Sequence, residues 1–184
     1  DEAHLRRLHG TVVRDHRRPA AVRGARRLDD ADNCLVPEFE TPSGLTFNRV
    51  AIADPEAFAH EAEAASWLYL CSEEFASMEN GMSYEQVEAA VPQSINIVSD
   101  PPREMTMDLA RQQIDALDRL PRPTLVTCRT GPRSSALVYL YAGLETGATA
   151  DEVLARAEAD GAPFAGSEEL KAWVRQGLDE LRSD

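Results

Sequence analysis

Between Ser134 and Leu144 the chain reads Ser-Ser-Ala-Leu-Val-Tyr-Leu-Tyr-Ala-Gly-Leu, apolar nearly all the way round a helix. A helix with no polar face has nothing to give to water, so it must be covered on most sides. That requirement rules out an isolated bundle edge or a surface helix and demands layers packed around it. Directly before it stands Leu125-Val126-Thr127-Cys128, an apolar run of strand character. The chain must therefore turn from a buried strand into a buried helix within a few residues.

The remaining signals alternate in the same way from Leu45 onward. Phe47–Ile52 reads as a strand, and Asp54-Pro55 opens a helix to about Ala65 through an N-cap followed by proline. Trp67–Cys71 is a compact buried strand. Ser83 with Gln86 forms a capping box for a helix to about Val91. Ser94–Val98 is a third strand, closed by Asp100-Pro101-Pro102. Thr106 caps a helix to Leu120, stopped by Pro121 and Pro123, and Thr124–Cys128 is the fourth strand. Thr149 with Glu152 caps a helix ending near Gly161. Ser167–Arg182 is amphipathic, with Leu170, Trp173, Val174, Leu178 and Leu181 on its inner stripe. Strands alternating with helices imply an α/β fold, a mostly parallel sheet of about four to five strands with helices on both faces. Residues 1–44 lack such periodicity and form an irregular arm; residues 45–184 form the α/β domain. No internal repeat is visible.

Charge divides the chain in the same place. Residues 1–27 hold eight arginines against Asp1, Glu2 and Asp15, a balance of +5 that leaves −18 for the rest of a 184-residue chain of net charge −13. An acidic body is unsuited to nucleic acid, which is bound through basic surface. The arm is the end of a targeting segment, a strap that docks residues 1–27 onto a protein complex, or a solvated terminus. No run of eighteen apolar residues occurs, so no membrane-spanning helix is expected. Cys34, Cys71 and Cys128 are too few and too widely spaced for a secreted disulfide framework. They suit a reducing, intracellular compartment, with mitochondrion or plastid as candidates because of the arm. His4, His9, His16 and His60 are scattered, so no metal site is expected. Nothing in the sequence calls for a cofactor.

The chemistry concentrates in Thr127–Ser135. A strand delivers Cys128 to a turn at the C-terminal edge of a parallel sheet, where ligands bind. A helix starts behind it with unpaired N–H groups and the positive end of its dipole, a natural anion site. Gly131 lets the loop curl so that its amides point inward. Such surroundings favour the thiolate form of a cysteine, making Cys128 the candidate nucleophile. Arg133 can present a planar fork to an oxyanion. Ser134 or Ser135 can hydrogen-bond the sulfur, Thr130 and Gly131 complete the cradle, and Arg129 is expected to face outward and attract an anion. The alternative for Cys128 is core filler.

Other residues have paired readings. Asp100, after the third strand, is either a general acid or a turn residue. Asp108 belongs to the first turn of its helix. Cys71 ends a neighbouring strand and is either a resolving thiol for Cys128 or a small core residue. Glu73, Glu74 and Glu79 are either pocket rim or solvated loop. Trp67, Trp173, Tyr139 and Tyr141 read as packing residues.

The segment Cys128-Arg129-Thr130-Gly131-Pro132-Arg133-Ser134 resembles the active-site loop of rhodanese-type sulfurtransferases. Its wider context, from Phe47 through Leu154 and chiefly Trp67–Glu74, Glu79–Val87, Ser94–Asp100 and the Cys128 loop, resembles the protein-tyrosine-phosphatase-like domain of the β-lactamase-hydrolase-like proteins. Residues 1–44 lie outside the resemblance. It implies a phosphatase-like fold in which Cys128, Arg133 and Asp100 do the catalysis. Tyrosine phosphatases carry His before the nucleophile and five residues between Cys and Arg; here Thr127 and four residues stand there, a tighter cradle that suits a persulfide. The expected activity is thus phosphoester hydrolysis or sulfane-sulfur transfer through Cys128, on an anionic small molecule or a phosphorylated or persulfidated substrate. The alternative is a catalytically retired fold serving as accessory subunit of an organellar complex.

Overall fold

Among the described residues four short parallel strands make the sheet: β1 (Leu45–Phe47), β2 (Ser66–Tyr69), β3 (Gln93–Asn96) and β4 (Thr124–Thr127), in the order β1-β4-β2-β3. The structure, a computed structural model, describes residues 44–182. The arm expected over residues 1–44, Cys34 included, lies outside the described residues apart from Gly44. Seven α-helices accompany the strands: α1 (Pro55–Glu61), α2 (Glu73–Ala76), α3 (Tyr84–Ala90), α4 (Met107–Arg119), α5 (Pro132–Thr146), α6 (Ala150–Ala159) and α7 (Glu168–Leu181). A 3-10 helix over Pro163–Gly166 precedes the last.

Strand pleating sends alternate side chains to opposite faces. Trp67 pairs in register with Leu125, and Phe47 with the next residue, Val126, so the two rings point to opposite sides of the sheet. On the Trp67 side, its ring lies 6.0 Å from Phe58 of α1, and Tyr69 stacks on Tyr84 of α3 at 6.2 Å. On the other side Phe47 meets Tyr139 of α5, with ring centroids 6.2 Å apart. Helices therefore cover both faces, as the strand–helix alternation implies.

Helix α5 is buried along ten consecutive residues, Ser134 to Gly143. A Cβ on Gly143 or Gly177 would come within 2.7 Å and 2.9 Å of leucine side chains on the facing helix, so both glycines are needed for α5 and α7 to close on each other. The buried tyrosines of α5 keep a polar exit: Tyr139 donates to Asp160 at 2.6 Å and Tyr141 to Asp118 at 2.7 Å.

The helix caps form as read, with capping boxes at Ser83/Gln86 and Thr149/Glu152 and side-chain caps at Asp54, Thr106 and Ser167. Several boundaries need correcting, among them β2, which ends at Tyr69 rather than Cys71, and β3, which ends at Asn96 rather than Val98. The first strand is Leu45–Phe47 rather than Phe47–Ile52, because Asn48 turns out of the ladder and its amide donates to the carbonyl of Val50. Helix α1 stops at Glu61, short of Ala65, where Glu63 adopts φ 51° and Ala64 bonds back to Ala59. Glu73 and Glu74, read as loop, lie in the first turn of α2.

Candidate active site

Cys128 leaves β4 at the C-terminal edge of the sheet, and two amide donors and a hydroxyl oxygen converge on its sulfur. The amide of Gly131 lies 3.2 Å from Sγ, the amide of Ser134 at 3.4 Å, and the Ser134 hydroxyl at 3.4 Å. These are the first groups of α5, so its unpaired N–H ends are spent on the sulfur. Gly131 is the N-cap with φ 118°, a left-handed value, and a Cβ there would lie 2.3 Å from the carbonyl of Asn48. Glycine is required twice over. Pro132 then occupies the first helical position, where its missing N–H costs nothing.

Asn48, at the end of the edge strand, holds the loop from outside. Its Oδ1 accepts from the Cys128 amide at 3.1 Å and from the Ser134 hydroxyl at 3.0 Å; its Nδ2 donates to the Cys128 carbonyl at 2.9 Å. It is 3% exposed. Sequence reasoning missed it, and its only signal was a carboxamide closing a strand. Asn48→Asp replaces the donating nitrogen by a charged acceptor facing two carbonyls, and a loss of about 2–3 kcal/mol of folding stability is expected in chemical denaturation. An unchanged unfolding midpoint would mean the clamp carries no weight.

Both loop arginines are bonded within the protein, Arg129 contrary to the outward course expected of it. Arg129 turns inward, not outward: Nε donates to Asp100 Oδ2 at 2.9 Å, Nη2 lies 2.6 Å from the same oxygen and donates to the Pro101 carbonyl at 3.0 Å, and the guanidinium sits over the Phe75 ring. The cause is an unpaired carboxylate in the interior, which draws the nearest cation. Arg133 makes no bond to the sulfur; its Nη1 donates to the carbonyls of Ser99 and Arg103, fastening both ends of the loop that carries Asp100. Burial pulls its ionisation down, and the nearby Glu169, Cys128 and Asp100 oppose that.

Asp100 is fully buried. Oδ1 accepts from the Ser72 amide at 3.2 Å and from Arg103 at 3.0 Å; Oδ2 accepts from the Ser72 hydroxyl at 2.9 Å and from Arg129. Burial alone pushes this carboxyl up, but hydrogen bonds from Arg129 and Ser72 together with the Arg129 charge outweigh it and hold it below the usual carboxylate range. Glu74 continues the chain of charges, 3.0 Å from Arg103.

The other expected residues divide. Ser135 does not reach the sulfur; its hydroxyl donates to the Pro132 carbonyl and accepts from the Phe164 amide, tying α5 to the 3-10 helix. Thr130 is exposed. Thr127, standing where phosphatases carry His, is buried and its hydroxyl accepts from Trp67 Nε1 at 2.8 Å on the other side of the sheet. Cys71 is 1% exposed, and burial, followed by the nearby Cys128 and Asp100, pushes its thiol up. A thiol so held is a weak nucleophile, which favours the core reading over the resolving one. Cys71 and Cys128 are both free thiols.

A phosphatase-like α/β domain is what these strands, this loop and these helices build. The chain matches no protein-family model and no curated protein. Among solved structures it is similar to Tk-PTP, with a TM-score of 0.62, 11% identity, and 77% of this chain and 95% of that one covered. The core catalytic domain of the PP-IP phosphatase SIW14 from S. cerevisiae gives a TM-score of 0.56 at 12% identity, covering 80% and 90%. The Yvh1 phosphatase domain from Chaetomium thermophilum gives 0.55 at 13%, covering 78% and 95%. Identities this low carry the fold alone. Among the described residues no helix is long and apolar enough to cross a membrane.

Proposed function

We propose that this chain is a cysteine-dependent, phosphatase-like hydrolase whose nucleophile is Cys128. The observation that carries the reading is the convergence of the Gly131 and Ser134 amides on the sulfur at the mouth of α5. Donors fixed in place before the reaction stabilise negative charge on the attacking atom and on the oxyanion that joins it. In the proposed cycle the sulfur attacks phosphorus, the ester oxygen departs, and water then releases phosphate from the sulfur. Arg129 and Arg133 supply positive field beside the loop rather than direct bonds to the sulfur. The substrate is an anionic, phosphorylated molecule.

The test is to trap the intermediate. Acid quench during turnover of para-nitrophenyl phosphate, followed by peptide mass spectrometry, is expected to find phosphate on Cys128. A persulfide formed there from thiosulfate, with no phosphate adduct, would replace hydrolysis by sulfane-sulfur transfer. A retired fold docked by residues 1–27 in a larger complex is the second reading. It is favoured by the commitment of Arg133 to the Ser99 and Arg103 carbonyls and by a sulfur only 4% exposed on its residue. Neither adduct, with salt-sensitive co-purification in a large assembly, would select it.

A further inference from the structure

Asp100 is the fully buried carboxylate beside the Cys128 loop, and the geometry of its two oxygens decides what it can do. A carboxylate offers about four lone-pair sites. Here the Ser72 amide and Arg103 take Oδ1, while the Ser72 hydroxyl and the Nε of Arg129 take Oδ2, with Arg129 Nη2 closing on Oδ2 as well. These donors fill the lone-pair sites, so a proton on Asp100 would have to displace one of them. The side chain is also closed off from solvent, with 0% exposure. Arg133 fastens the loop at Ser99 and Arg103, on either side of it.

Resting on Cys128 as the nucleophile, we propose that Asp100 is a fixed anion that positions Arg129 and Arg103 and donates no proton, so that the site selects phosphate esters and anhydrides whose leaving group departs unprotonated. The neighbouring proton carriers do not replace it. Tyr69 and Cys71 are both pushed up, chiefly by burial, and hold their protons too tightly to act as acids at neutral pH. The Tyr69 hydroxyl is moreover spent on the Met82 carbonyl. Glu74 pairs with Arg103 on the solvent side of that arginine.

The reaction balances without an acid. The sulfur of Cys128 gives its electron pair to phosphorus, and the bond from phosphorus to the leaving oxygen breaks with its pair staying on that oxygen. The group leaves as an anion and takes any proton it needs from water afterwards. A water molecule then attacks phosphorus, the P–S bond breaks with its pair returning to sulfur, and the proton released passes to solvent. Only weakly basic leaving groups satisfy the first step, such as nitrophenolates or a phosphate.

The full chain should be assayed at one pH against aryl phosphates from 2,4-dinitrophenyl to unsubstituted phenyl. A fall in kcat/KM on the order of 10³-fold across the series is expected, because the charge that develops on the leaving oxygen is not neutralised. Asp100→Asn should shift all members of the series by a common factor and leave that slope unchanged. A flat slope in the wild-type protein would overturn the inference while leaving the nucleophile reading intact. So would an Asn variant that loses phenyl phosphate selectively, since that is the signature of a lost proton donor. Absence of turnover with even the dinitrophenyl ester would remove both. Because the wild-type slope alone is decisive, the test survives an Asn variant that fails to fold.

Discussion

Cys128→Ser is expected to lower turnover of para-nitrophenyl phosphate by on the order of 10⁴-fold, with little change in the unfolding midpoint. The substitution keeps an acceptor where the Gly131 and Ser134 amides point, so the cradle itself has no reason to collapse. What it removes is the only atom there that can attack at neutral pH, since a serine hydroxyl without an adjacent general base is a poor nucleophile. His60, the one histidine among the described residues, sits in the last turn of α1 and provides no such base. Steady-state kinetics on protein verified by thermal melting checks the result. Undiminished turnover by the serine variant would end the proposal that this sulfur does the chemistry.

The largest expected change in stability comes from Arg129→Ala. It leaves the buried Asp100 carboxylate short of its strongest partner, and breaking a buried pair from one side costs about 3–5 kcal/mol. Arg103 and Ser72 stay in place, so the lower end of that range is expected. The sign of the pH dependence follows from the same contacts. Asp100 is held below its unfolded value, of about 3.9, so its contribution is fully present above that value and disappears as pH falls through the lower folded value. In the alanine variant the folded value rises, so the contribution fades at higher pH than in the wild type. Urea unfolding from neutrality down to below the unfolded carboxylate value reads both effects. Equal losses of stability at every pH would mean that Arg129 acts through packing on Phe75 and not through the charge.

The elements were legible where local chemistry decides them. Asp54-Pro55, Ser83 with Gln86, Thr106, Thr149 with Glu152, and Ser167 each cap a helix with a bond spanning three residues, and such bonds leave a mark in the sequence. The Cys128–Gly131–Ser134 grouping was visible for the same reason. Strand β1 was misplaced because three residues are too few to show alternation, and nothing local says that the chain leaves the sheet at Asn48. The clamp by Asn48 links residues eighty positions apart. The directions of Arg129 and Arg133 depend on where the loop from Ser99 to Arg103 comes to rest, which is set by its packing beside β2 through the Ser99 amide on the Leu70 carbonyl. Spacing along the chain identified the cations; only the folded arrangement of their acceptors assigns them.

Margins of sheets tend to come loose first, since they are paired on one side only. Among the described residues Asn48 stands at such a margin, and Cys128 leans on it through both its amide and its carbonyl. Loosening that began there would take the clamp from Cys128 while the interior still held.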